Sequence, residues 1–155
     1  MLSTSSKEVR QVMLAPVPCV HLESAARNSM QNVAFGTSRS GFEQQFNSLI
    51  PIPVFIYASQ PLYTPQAPHP FFRGGTASWE GTVVNIVKAN SSGKHANPSI
   101  RPPSTLIEDG GDGPFLLFWE VEGLHKLEKP LTLSKFKWKS GGDIPQWPVL
   151  AQLNC

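Results

Sequence analysis

Apolar positions along this chain follow two periods. Before Pro51 they recur at helical spacing, whereas from Val54 onward they come in short runs bounded by Pro, Gly, Ser and Asn. The sharpest run is Phe115-Leu116-Leu117-Phe118-Trp119-Glu120-Val121-Glu122, which starts apolar at every position and then alternates. A strand that begins apolar on both faces is covered on both sides. Residues 115–122 are therefore expected to form the central strand of a sheet, with Leu116 and Phe118 walled in. Val54-Phe55-Ile56-Tyr57-Ala58 is β-branched and aromatic and predicts a second buried strand. Ser78 to Lys88 predicts a third, with Trp79, Val83 and Val87 on one face and Val84 and Ile86 on the other. Leu131 to Lys139, broken near Ser134, and Trp147 to Leu153 complete the set, the last one closing the sheet.

The first fifty residues predict helices. Ser5 and Glu8 stand at capping-box spacing ahead of Val9, Val12 and Met13, and Pro16 would end that helix. Leu22, Ala25, Ala26, Met30 and Val33 place a second helix from about Glu23 to Asn32. Ser40 and Glu43 repeat the capping box, and Phe42, Phe46, Leu49 and Ile50 form a stripe that Pro51 stops. Helices first and strands afterwards give an α+β class for a chain of 155 residues. The expected domain is single: a helical part over 1–50 packed on a small mixed or antiparallel, barrel-like sheet over 54–153.

Composition narrows the function classes. Only 15% of residues are charged and the net charge is +2, so no strong overall field draws the chain to nucleic acid or a membrane, and a partner would meet a local patch. So sparse a charge also fits a homodimer with a covered interface. No apolar run approaches membrane-spanning length. Val12 to Val20 mimics a secretory signal but contains Pro16 and Pro18, so it is read as folded structure. The two cysteines, Cys19 and Cys155, build no disulfide framework, and free thiols fit a cytoplasmic protein.

Candidate chemistry is local. Lys135-Phe136-Lys137-Trp138-Lys139 on a strand would set three lysines on one face and two aromatics on the other. That pattern suits a phosphate ladder, and equally an edge strand guarded by lysines. The segment Gly93 to Pro103 carries Lys94, His95 and Arg101 among stiffening prolines, and could hold an anion or phosphate. The long connection Pro61 to Gly75 brings Tyr63, Phe71 and Phe72, which with Trp79 could line a small-molecule pocket at a barrel mouth, with Glu120 as an acid or base. Glu108 to Gly113 lacks the ligand pattern of a calcium loop, and Cys19-x-His21 is the one tight metal-ligand spacing. Gly36-Thr37-Ser38-Arg39-Ser40-Gly41 has the wrong glycine spacing for a nucleophile turn. No catalytic, metal or cofactor motif is present.

From Val54 onward the chain resembles the PUA-like superfamily of small β-barrels, which includes the ASCH and EVE families. The resemblance lies in Gly81-Thr82-Val83-Val84, in Phe118-Trp119-Glu120-Val121, and in Lys129 to Phe136. It implies a barrel that binds RNA or modified bases. The ASCH signature of Gly-x-Lys followed by Glu and Arg is absent, so the resemblance transfers no site residue. The expected function is a non-enzymatic binding module for single-stranded nucleic acid or a nucleotide-like anion. A small-molecule pocket or enzyme, and a structural homodimer, are the alternatives.

Overall fold

Residues 9–18, expected to continue a helix, form strand β1 (Val9–Pro18) instead. The computed structural model of the chain describes residues 9–59, 76–106, 113–139 and 147–154, so Ser5 and its capping box lie outside it. Val12, Met13, Leu14 and Ala15 are all fully buried. Four successive buried positions use both faces of a strand, whereas a helix would turn one of them to solvent. Pro16 and Pro18 lie past Leu14–Val149, the last pair β1 makes with its antiparallel neighbour. There β1 keeps a ladder only on its other side, so a missing N–H is tolerated.

The remaining elements are α1 (Cys19–Arg27), β2 (Val33–Thr37), α2 (Phe42–Phe46), β3 (Ile52–Ser59), β4 (Thr76–Lys88), β5 (Leu117–Thr132), β6 (Phe136–Trp138) and β7 (Val149–Asn154). The N-terminal part is thus two strands and two short helices rather than three helices. The helix expected over Glu23–Asn32 starts earlier and ends at Arg27, because Val33 belongs to β2. No capping box forms at α2. Its N-cap is Gly41 at φ 92°, a left-handed entry that glycine adopts without strain.

One seven-stranded sheet runs in the order β2-β5-β4-β3-β1-β7-β6. The β1–β3 pair is parallel and every other pair is antiparallel. The α+β class and the mixed sheet hold, but the sheet does not close into a barrel. Trp147–Leu153 was expected to seal it; β7 instead lies between β1 and β6. Residues 115–122 are also displaced from the centre. β3 occupies the middle, β5 is one strand from the edge, and Leu116 precedes the strand and is 53% exposed. Leu117, Phe118 and Trp119 carry the two-sided burial expected there.

The sheet is strongly curled. Met13, Ala15 and Val17 of β1 share one core cluster with Val33 and Phe35 of β2, although three strands separate β1 from β2 in the ladder. Leu22 and Ala25 of α1 and Phe42 and Phe46 of α2 fill that concave side. On the convex side Val12, Leu14, Phe55 and Tyr57 pack with Leu133, Phe136, Ala151 and Leu153. Register shifts in the β4–β5 ladder produce the curl. The one between Val83 and Asn85 also turns Ile86 onto the Val83 face, against the simple alternation expected from sequence. Among the described residues no helix is long and apolar enough to cross a membrane.

Candidate functional site

The curl brings the C-terminal end of β1 towards β2 without pairing them, and the gap is a cleft of about 680 Å³. That size falls in the range of small-molecule pockets. Pro16 to Pro18 and His21 form one wall, and Phe35 to Ser40 form the other. Trp119 of β5 joins the lining, and Arg101, Thr105, Phe115, Trp147 and Pro148 complete it.

Each wall has a local cause. Val17 and Phe35 project to the concave core while Ser38, Arg39 and Ser40, just past β2, are exposed. The Arg39 amide donates to Thr37 Oγ1 at 3.2 Å, and the Ser38 hydroxyl donates to the Pro114 carbonyl at 3.4 Å. These bonds set the turn that carries Arg39 to the rim. The Arg39 guanidinium stands 4.1 Å above the Trp147 ring, a cation–π pairing. Below it Trp119 packs on Phe35 with ring centroids 5.0 Å apart.

Arg101 anchors the outer edge of β2. The Gln31 and Thr37 carbonyls accept from Leu124 and Leu116, so odd-numbered carbonyls of this strand face β5. Ala34 therefore faces away, and Arg101 Nη1 donates to its carbonyl at 2.9 Å. The guanidinium lies 5.0 Å from the Phe118 ring and 5.6 Å from Phe115. Arg101 is 3% exposed, so the cation read as a donor for an anion is a buried tie. His95 is also turned inward. It accepts from the Asn97 amide at Nδ1, which leaves the proton on Nε2 to donate to Glu120 Oε2 at 2.8 Å. Glu120 also accepts from Asn85 Nδ2.

His21 holds α1 to the 3-10 turn at Pro103–Leu106. Its Nδ1 is 2.7 Å from Ser104 Oγ, and the Ser104 amide donates to Ser24 Oγ at 3.0 Å. Both His21 and Ser104 are buried, and Ser104 does not line the cleft, so the pair acts as a strut. Burial pushes the Cys19 thiol up, reinforced by the Glu23 charge and hydrogen bond. A raised thiol is a poor nucleophile and metal ligand at neutral pH. Among the described residues no group of three His, Cys, Asp or Glu side chains gathers to hold a metal.

The residues singled out from sequence are scattered. Tyr63 and Phe71 lie outside the described residues. Trp79 is buried on the concave side, beside a smaller groove of about 350 Å³ with His125 and Lys126, whereas Glu120 belongs to the opposite face of the sheet. The structure thus does not bring Trp79 and Glu120 together. Lys94 is half-buried in the turn closed by Asn90, whose Oδ1 accepts from the Ser92 and Lys94 amides. Lys135, Lys137 and Lys139 are exposed, but only Lys137 is on β6; Lys135 ends the 3-10 turn Leu133–Lys135. Phe136 faces the convex core, and β6 is an edge strand, as lysine protection of an edge requires. Lys137 and Lys139 border a shallow groove with Gln11 and Gln152. Gln11 has the same parity along β1 as Val17, but Met13 and Ala15 between them are fully buried, so this groove is separate from the cleft.

Sequence reasoning missed Phe35, Arg39, Phe115, Trp119 and Trp147 as site residues. The polar cluster Thr37 to Ser40 between two glycines was the available signal. In comparisons with known proteins, neither a family model nor a curated protein matches the chain.

Proposed function

We propose that the chain is a binding module whose cleft takes a planar anion of the nucleotide type. One observation carries this reading. Of the described residues lining the cleft, none is acidic, two are arginines, and four, Phe35, Phe115, Trp119 and Trp147, are aromatic. Aromatic walls accept a flat ring, and an exposed arginine at the rim favours a phosphate over a neutral sugar. Arg39 is the rim cation, exposed and standing over Trp147. Ser38 and Ser40 offer hydroxyls beside it. A single-stranded nucleic acid is the extended form of the same ligand, with one of its nucleotides seated in the cleft.

The test is a titration with uridine 5′-monophosphate, adenosine 5′-monophosphate and a short single-stranded oligonucleotide at low salt, followed by tryptophan fluorescence and calorimetry. Binding should quench Trp147 and Trp119 and weaken as salt rises. Arg39→Ala should lower affinity about fivefold to tenfold while leaving the unfolding temperature unchanged, since an exposed cation contributes little to stability. Absence of binding to all three probes at low salt refutes the reading.

A further inference from the structure

Trp119 combines two properties that rarely occur together. It is 1% exposed, and its indole Nε1 has no hydrogen-bond partner among the described residues. A tryptophan N–H is a donor only, and buried ones ordinarily find an acceptor. Trp119 is also a lining residue of the cleft. Its position is fixed from below by Phe35, and its strand is paired on both sides, to β2 through Phe35 and to β4 through Ile86. A donor so held loses little freedom when an acceptor arrives.

We infer that the indole Nε1–H of Trp119 is the donor by which the cleft reads its ligand, so the bound ring presents a carbonyl oxygen or a ring nitrogen to that N–H. This rests on the reading of the cleft as a planar-anion site and adds the ligand's required chemistry at its buried end. Arg39, at the rim, meets the charged end, and Trp119 meets the ring, so the two contacts fix orientation as well as affinity. A ring lacking an acceptor would leave the N–H unanswered in a dry site, and sites of that kind discriminate strongly.

The experiment replaces Trp119 by 3-benzothienylalanine, which keeps shape and aromaticity and substitutes sulfur for the N–H. Uridine 5′-monophosphate, which bears ring carbonyls, and phenyl phosphate, which has no ring acceptor, are titrated into both proteins. The expected result has three parts. The altered protein unfolds at the same or a higher temperature than the native one, because an unanswered N–H has been removed. It binds uridine 5′-monophosphate about fivefold or more weakly, and its affinity for phenyl phosphate stays within twofold. In the unmodified protein, the indole proton resonance of Trp119 moves downfield on adding uridine 5′-monophosphate. Unchanged affinity for uridine 5′-monophosphate overturns the inference and leaves the cleft reading standing. A lower unfolding temperature overturns it as well, since the N–H would then be bonded within the chain. If the native protein binds neither probe, the cleft reading itself falls.

Discussion

Arg101→Ala is the substitution that best tests how the site is built. The guanidinium is 3% exposed, donates to the Ala34 carbonyl at 2.9 Å and lies near two aromatic rings. A hydrogen bond from a charged donor contributes about 1.5–3 kcal/mol. The ring contacts add roughly 0.5–2 kcal/mol. Against this, the desolvation cost of the buried cation disappears with the side chain, which offsets part of the loss. The net destabilisation is about 2–4 kcal/mol, and for a chain of this size it lowers the unfolding temperature by about 5–15 °C. Arg101→Met keeps the apolar stem between the rings and removes the charge along with its desolvation penalty, so it should lose about half as much. Urea unfolding followed by tryptophan fluorescence measures both. A loss below about 1 kcal/mol for Arg101→Ala would show that the outer edge of β2 is held by something else, and the account of the cleft wall would fail.

Further tests follow from the same geometry. A Cβ added at Gly36 would collide with the Phe115 ring, which stands edge-on to Phe118. Gly36→Ala should therefore lower stability by about 1–3 kcal/mol in urea unfolding; a neutral result would mean the ring swings aside freely. Burial pushes the Tyr57 phenol well above its ordinary range. The folded state thus holds its proton where the unfolded chain, with a phenol near pH 10, begins to release it, so stability is fully present below about pH 10 and declines above it. Tyr57→Phe should flatten that decline between about pH 9.5 and 11, measured by urea midpoints, and an unchanged slope would count against it. Lys137→Ala combined with Lys139→Ala should leave uridine 5′-monophosphate affinity within twofold, because buried core separates their groove from the cleft, and a larger loss in calorimetry would argue against that separation.

The strands at 52–59, 76–88 and 149–154 were legible because β-branched and aromatic runs stood between prolines and glycines. β1 was not, because Val9, Val12 and Met13 also fit a helical stripe and only the pairing with β3 and β7 decides between the two. Closure was misjudged for a related reason. Strand order depends on long-range pairing, and nothing local in Val149–Asn154 says that it adds beside β1. At the site, Arg101 was noticed but read as a donor for a bound anion, since the loop's prolines and polar residues gave no sign of the Phe115 and Phe118 rings beneath it. The cleft draws on segments near residues 17, 37, 101, 119 and 147, and only curvature of the sheet makes them neighbours.

The placement of β1 between β3 and β7 bears on how the protein is made. During synthesis β1 is made well before β7, so one of its flanks receives a mate only when residues 149–154 leave the ribosome. Until then Val12 and Leu14 lack the cover that Ala151 and Leu153 provide, and a bare ladder of backbone donors and acceptors faces solvent or any other nascent chain. Whatever shields that flank during translation, whether a chaperone or a quick collapse onto β3, bears directly on the yield of folded molecules.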